Sequence, residues 1–145
     1  MVKRGRKSGD DFRQELTLAL RNIDEVSNLE KSSLGRLPAV RLLAETRYRD
    51  TLYPAGFAVR HLLQESVDKV AKDLGNLPCY ARQVQFLQQF SQGASVTQIS
   101  HGLGISREHV SREIQKEALS LLQHALIKKA SREESEAADL HQEVR

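Results

Sequence analysis

The chain has 145 residues, of which 28% are charged and 5% aromatic, and its formal net charge is +3. This length suits one domain with tails, and the single cysteine excludes an intrachain disulfide framework. No apolar run reaches the roughly 18 residues of a membrane span, and the basic N-terminus lacks the apolar core of a signal peptide. These features predict a soluble, cytoplasmic protein without a membrane partner.

The N-terminal half is predicted to form three helices. Apolar residues recur at steps of three and four from Phe12 onward, which predicts a first helix from about Asp11 to Glu30. A second, short helix is expected from Pro38 to Tyr48, because proline suits the first turn of a helix. Pro54 begins a longer third helix, which Gly75-Asn76 ends in a C-cap position.

The C-terminal half is predicted to contain another helix, a two-helix motif and a long last helix. Pro78 begins the fourth helix, with Cys79 as a buried small apolar residue, and Gly93 is its expected C-cap. The last helix carries an apolar stripe to about Lys129. The polar, acidic residues beyond it are expected to fray into disorder.

The segment from residue 96 to residue 115 has the spacing of a helix-turn-helix. Ile99 and Leu103 are four residues apart, so they share one buried face, and Ser100 is small where the two helices approach each other. Gly104 occupies the tight turn, where a positive φ favours glycine, and Ile105 packs that turn into the core.

The second helix of the motif has its own start signal and its own buried positions. Ser106 can cap the helix by accepting a hydrogen bond from a backbone N–H. Val110 and Ile114, four residues apart, are predicted to bury its inner face.

The sequence Leu103-Gly104-Ile105-Ser106-Arg107, followed by Val110-Ser111-Arg112, resembles the helix-turn-helix of sigma-factor region 4 and of related bacterial transcription regulators. The close resemblance covers about twenty residues and implies a DNA-binding role. Two positions depart from the pattern. Ser100 replaces the usual alanine or glycine, and Glu113 stands where a core residue is often found. We therefore expect the second helix to be rotated or packed unusually.

If the motif docks in the usual way, the second helix enters the major groove and its outer residues face the bases. The predicted recognition residues are Arg107, Glu108, His109, Ser111, Arg112, Gln115 and Lys116. Both arginines can pair bidentately with guanine, Gln115 with adenine, and Glu108 can accept from cytosine. Lys116 is expected at phosphate, together with Thr97 and Gln98 of the first motif helix.

The charge distribution adds a second candidate contact. Residues 1–9 contain four basic residues and no acidic ones: Lys3, Arg4, Arg6 and Lys7. A flexible basic arm of this kind can contact phosphates or a narrow minor groove, or it can be a solubilising tail. Residues 107–130 carry five basic and three acidic side chains, whereas residues 131–145 carry two basic and five acidic ones.

No catalytic constellation, phosphate-binding glycine loop or metal-ligand spacing is visible, so we expect neither an enzyme nor a cofactor or metal site. The predicted fold is an all-α bundle of about five or six helices with a long C-terminal helix. It comprises a flexible basic arm (1–9), an N-terminal helical region (10–76), a helix-turn-helix DNA-binding region (77–130) and an acidic disordered tail (131–145).

Two questions stay open at this level. The apolar face of the last helix can pack within the chain or form a homodimer interface, since operators often pair two half-sites. The leading function is sequence-specific binding of double-stranded DNA in transcription regulation. The alternative is a helical interaction or adaptor module that does not bind DNA.

Overall fold

A computed structural model describes the backbone of residues 9–144 and the side chains of residues 12–132. The predicted basic arm, with Lys3, Arg4, Arg6 and Lys7, lies outside the described residues. Within the described part the chain is mostly helical and contains no strand, so the predicted all-α fold with a long C-terminal helix is confirmed.

The elements follow one another with short connections. They are α1 (Gly9–Arg21), α2 (Val26–Leu29), a 3₁₀ helix (Ser33–Arg36), α3 (Pro38–Thr46), α4 (Pro54–Leu74), a second 3₁₀ helix (Pro78–Tyr80), α5 (Ala81–Ser91), α6 (Val96–Leu103), α7 (Arg107–His109), a π-helical segment (Val110–Ile114) and α8 (Gln115–Val144). None of the described helices combines the length and the hydropathy that crossing a bilayer requires.

Helix α4 is the centre of the bundle, because it packs against α2, α3, α5 and α8. Leu62 and Leu63 of α4, Phe86 of α5 and Leu122 and Leu126 of α8 are all at most 1% exposed and belong to one cluster. Full burial of each such side chain contributes about 1.5–3 kcal/mol relative to exposure. The apolar face of α8 is therefore largely used within the chain.

The first helix is shorter than predicted. Instead of one helix from Asp11 to Glu30, α1 ends at Arg21, and a turn over residues 22–25 precedes the short α2. At this turn the backbone bonds shorten to a span of three residues, from the Ile23 N–H to the carbonyl of Leu20 at 3.3 Å and from the Glu25 N–H to the carbonyl of Asn22 at 2.8 Å. Asparagine is a weak helix former, which is consistent with a break here.

Helix α3 ends two residues before the predicted Tyr48, and tertiary contacts explain the difference. The Tyr48 ring stacks on Phe57 with centroids 5.8 Å apart, and its hydroxyl lies 3.0 Å from Nδ1 of His61. By leaving the helix, Tyr48 gains both partners on α4. The predicted fourth helix also begins differently, because residues 78–80 form a 3₁₀ turn before α5 starts at Ala81.

One further expectation about the C-terminal half was wrong. Cys79 is exposed rather than buried, because the 3₁₀ turn that holds it lies on the surface. The backbone from residue 131 to Val144 continues α8, and the expected disorder of this tail stays a prediction. Alanine and glutamate are strong helix formers, and together they make up six of the residues from 131 to 144.

Gly56 allows the start of α4 to approach α2 closely. A Cβ atom at this position would overlap the carbonyl oxygen of Val26 and would lie 3.1 Å from the carbonyl carbon. The Gly56 N–H donates to Oε1 of Glu30 at 2.8 Å. This carboxylate satisfies one of the unpaired N–H groups at the start of α4, where negative charge is favourable.

We predict that Gly56→Ala lowers the free energy of unfolding by about 1–3 kcal/mol, because the added methyl group forces α2 and α4 apart. Urea denaturation measures the change. Gly35→Ala is the control, since its Cβ would lie 3.7 Å from Cβ of Ala55, an ordinary contact. Its effect should stay within about 0.5 kcal/mol. Equal losses in the two variants would contradict the close approach at Gly56.

Candidate nucleic-acid interface

Helix α6 begins with a capping box. Oγ of Ser95 accepts from the backbone N–H of Gln98 at 3.1 Å, and the Ser95 N–H donates to Oε1 of Gln98 at 2.8 Å. This reciprocal pair fixes the first turn of α6. Sequence reasoning overlooked it, although the Ser-x-x-Gln spacing is visible in the sequence. The carbonyl oxygen of Gln98 is thereby engaged, so its amide hydrogens are the groups that can reach a ligand.

The inner face of α6 is buried as the spacing predicted. Ile99 is fully buried, Ser100 is 3% exposed, and Leu103 packs at the edge of the core. The Ser100 hydroxyl donates to the carbonyl of Thr97 at 2.8 Å, which satisfies the polar group within its own helix. Serine at this position is therefore compatible with burial.

The turn after α6 depends on Gly104, which has a φ of +71°. The N–H of Ile105 donates to the carbonyl of Ser100 at 3.2 Å, and the Gly104 N–H lies 3.3 Å from the carbonyl of His101. This is a Schellman cap, in which glycine avoids the strain that a Cβ atom would cause. The left-handed glycine expected in the turn is confirmed.

The second helix of the motif begins at a serine cap and passes at once into a wider turn. Oγ of Ser106 accepts from the N–H of His109 at 3.1 Å, as the sequence predicted. Residues Val110–Ile114 are π-helical, and the N–H of Gln115 donates to the carbonyl of Val110, five residues back. A π turn holds one more residue than an α turn, and such turns are frequent at functional sites.

The π segment explains why position 113 holds glutamate where the usual helix-turn-helix pattern often has a core residue. Val110 is fully buried and Ile114 is 4% exposed, whereas the side chain of Glu113 is 63% exposed. Because the turn contains one extra residue, Ile114 takes the inward place that position 113 would have in the usual pattern. We expected this helix to pack unusually, and the π-helical backbone at Val110–Ile114 is an unusual feature of that kind.

The outer face of the second helix carries most of the predicted recognition residues. The exposed ones are Arg107, Glu108, Ser111, Arg112 and Lys116. His109 and Gln115, which were expected on the outer face with them, are only partly exposed. Nε2 of His109 lies 4.0 Å from Oε1 of Glu113. Thr97 and Gln98 at the start of α6 are exposed, so they are accessible to a ligand.

A polar contact joins α5 to α8 just after the motif. Nε2 of Gln83, a buried residue of α5, donates to Oε1 of Glu117, an exposed residue of α8, at 2.6 Å. The contact lies one residue after Lys116, where the exposed recognition face ends. Because its partners are distant in the sequence, no local pattern could have predicted it.

Comparison with protein-family models, with curated proteins and with solved structures found no match for this chain. Among residues with described side chains, no three histidine, cysteine, aspartate or glutamate residues lie together as a metal site.

We predict that Gly104→Ala lowers the free energy of unfolding by about 1–2 kcal/mol, because a left-handed backbone is strained for any residue with a Cβ atom. Gly102→Ala is a matched control within the same motif. Its Cβ would lie 3.8 Å from Oε1 of Gln89, and alanine in a helix is favoured over glycine by about 0.5–1 kcal/mol. Thermal denaturation of both variants measures the contrast, and a larger loss at Gly102 would contradict this turn geometry.

The register of the π segment has a separate test. Ile114→Ala should destabilise the protein by about 2–5 kcal/mol, because it leaves a cavity beneath the motif. Glu113→Ala changes an exposed side chain and should stay within about 0.5 kcal/mol. Chemical denaturation compares the two variants. Comparable losses at both positions would mean that the helix buries residue 113 as well.

Proposed function

We propose that this chain is a sequence-specific, double-stranded DNA-binding protein of the bacterial transcription-regulator type. The observation that carries the proposal is the motif from α6 through the π segment. It buries Ile99, Val110 and Ile114 on the inside and presents Arg107 and Arg112 on the outside. An exposed helix of this size, supported from behind by a second helix, has the shape that the major groove accepts.

The proposed contacts follow from the chemistry of the exposed side chains. Arg107 and Arg112 can each donate two hydrogen bonds to the N7 and O6 atoms of guanine, and Glu108 can accept from cytosine. Gln115 can pair with adenine only through the part of its side chain that is accessible, since it is half-buried. Lys116 lies one turn beyond Arg112 and is proposed to contact phosphate.

Phosphate contacts are also proposed for the start of α6. Thr97 and Gln98 are exposed there, in the first turn of the helix. Backbone N–H groups in a first turn favour anions, and the capping box holds this turn in place. The basic arm, with Lys3, Arg4, Arg6 and Lys7, is proposed to add sequence-independent attraction to the DNA backbone.

Binding-site selection from random duplexes, followed by fluorescence anisotropy on the selected duplex, tests the proposal. The affinity should fall as salt concentration rises, because binding releases counterions from the phosphates. A scrambled duplex of equal length should bind more weakly. If selection enriches no sequence and no duplex binds at low ionic strength, the proposal is wrong.

We predict that Arg112→Ala weakens binding to the selected duplex by about tenfold or more and weakens binding to the scrambled duplex less, because a bidentate contact to guanine discriminates by about 1–3 kcal/mol. Arg36→Ala, an exposed arginine in the first 3₁₀ helix, is the control and should leave both affinities unchanged. Equal losses on both duplexes would make Arg112 a phosphate contact.

Lys116→Ala should behave differently from Arg112→Ala. Because Lys116 is proposed to contact phosphate, its removal should weaken binding to all duplexes to a similar degree. It should also reduce the slope of log affinity against log salt by about one. Titrations at several salt concentrations measure the slope. A loss confined to the selected duplex would instead assign Lys116 to base recognition.

The second candidate function is a helical adaptor that binds protein and not DNA. An accessible groove between α4 and α8, whose apolar lining includes Val70 and Leu74 of α4 and Leu121 and Ala125 of α8, favours a protein contact on a face of the bundle apart from the motif. Size-exclusion chromatography with light scattering, beside the DNA titration, separates the two functions. Association together with the absence of any DNA affinity would favour the adaptor.

A further inference from the structure

A groove of about 640 Å³ runs between the C-terminal half of α4 and the middle of α8. Its apolar lining consists of Val70, Leu74, Leu121 and Ala125. Val70 is buried and the other three are half-buried, so part of their apolar surface is accessible to a ligand. The volume lies within the range of about 300–1,000 Å³ that is typical of small-molecule sites.

The two helices run antiparallel along this groove. Nζ of Lys129 on α8 lies 3.1 Å from Oε1 of Glu65 on α4, so these two positions are level with each other. The groove is lined by α4 residues that follow Glu65 in the chain and by α8 residues that go back to Leu121. Leu74 and Leu121 therefore lie at the same end of the groove.

The opposite end of the groove is cationic. On α8, Leu121 and Ala125 are followed at steps of three and four by Lys128 and Arg132, so all four lie on one side of the helix. Leu121 and Arg132 are 11 positions apart, which corresponds to about 17 Å. Both basic residues are exposed. An ammonium group and a guanidinium group at one end of an apolar groove favour an anion there.

The other charged side chains of the lining agree with this polarity. Nζ of Lys69 lies 3.2 Å from Oδ2 of Asp73, the one acidic residue among those that line the groove. Asp73 directly precedes Leu74, so its carboxylate belongs to the apolar end and disfavours an anion there. Four basic residues of the lining stand against this one carboxylate, which leaves the groove positively charged.

We propose that the groove binds a small amphiphilic anion, an organic molecule with an apolar body and a single carboxylate or phosphate group. The apolar body lies along Leu74, Leu121 and Ala125, where its burial removes apolar surface from water. The anionic group lies at Lys128 and Arg132, which can each donate charge-assisted hydrogen bonds to its oxygen atoms. The polarity of the groove thus fixes the direction in which the ligand lies.

The length of the α4 wall favours a small molecule over a docked protein helix. This wall is formed by residues 69–74, which correspond to about 8 Å. A docked helix places its apolar anchors at positions i, i+3 or i+4, and i+7, a span of about 11 Å or more. Only the α8 wall has that length. Occupancy by a small molecule would leave the adaptor function without the observation that favours it.

Isothermal titration calorimetry of the full chain with octanoate tests the inference. Octanoate should bind one to one, and its affinity should fall as salt concentration rises. Octanol and octylamine carry the same apolar chain with a neutral and a positive head group, and each should bind at least tenfold more weakly. Hexanoate should also bind about tenfold more weakly, because two fewer CH₂ groups are buried.

Reversing the charge at the cationic end should invert the preference for the head group. Lys128→Glu with Arg132→Glu should bind octanoate at least tenfold more weakly than the natural chain and should bind octylamine more tightly. Lys31→Glu with Lys72→Glu makes the same charge change at exposed positions outside the groove and should leave both affinities unchanged. Circular dichroism checks that every variant is folded.

A second variant tests the apolar end. Ala125→Glu places a carboxylate on the apolar lining and should weaken octanoate binding at least tenfold, because it repels the anion and removes apolar contact. Gln123→Glu adds the same charge two residues earlier on α8, outside the groove, and should bind octanoate nearly as the natural chain does.

Backbone amide signals in NMR spectra locate the ligand. Octanoate should shift the signals of residues 69–74 and 121–132 more than those of α6. The inference is wrong if octanoate does not bind at millimolar concentration, if octanol binds equally well, or if the charge reversal leaves the preference unchanged. An acidic amphipathic peptide helix that shifts the same signals at lower concentration would make the groove a protein-docking surface and would also overturn the inference. The test contains no DNA, so its outcome is independent of the proposed DNA binding.

Discussion

The burial of the long C-terminal helix against α4 and α5 is the interaction on which the rest of the structure depends. The same continuous helix begins at Arg107, in the exposed part of the motif, and then packs along α4 and α5. Its direction is set by side chains far from the motif, such as Leu122 and Leu126, which are almost fully buried. The orientation of the recognition face is therefore a property of the whole core.

The helix that belongs to both the motif and the bundle must keep one face buried along its length, and the π segment helps it to do so. Its buried positions recur every fourth residue: Val110, Ile114, Ala118, Leu122, Leu126 and Ala130. In a regular α-helix, a step of four residues turns the side chain by about 40° beyond a full circle, so the buried face drifts around the helix. A wider turn at residues 110–114 offsets part of that drift. The motif and the bundle can thus bury one face together.

Local signals predicted the parts of the fold that local chemistry decides. Pro54 and Gly75 bound α4 as expected, because proline suits a helix start and glycine a helix end. Gly104 was predictable for a different reason, because its turn needs a positive φ that glycine adopts without strain. The π segment was only partly predictable. Glu113 and Ile114 indicated unusual packing, but the backbone hydrogen bond that produces it depends on the core.

Contacts between distant parts of the chain were beyond the reach of the sequence. The partners Gln83 and Glu117 are 34 positions apart, and the Glu30 side chain bonds to the backbone of Gly56, 26 positions away. Neither pair has a pattern that identifies it before the helices are placed. The early end of α1 was missed as well. The apolar spacing that begins at Phe12 continues through residues 22–25, where the backbone forms a turn.

The chain's net charge of +3 is a poor guide to its binding surfaces, because the charges act locally. Lys116 and Glu133 are 17 positions apart on one helix, which corresponds to about 25 Å. At physiological ionic strength, exposed charges are screened beyond about 8 Å. The acidic end of the helix therefore does not cancel the positive charge at its start.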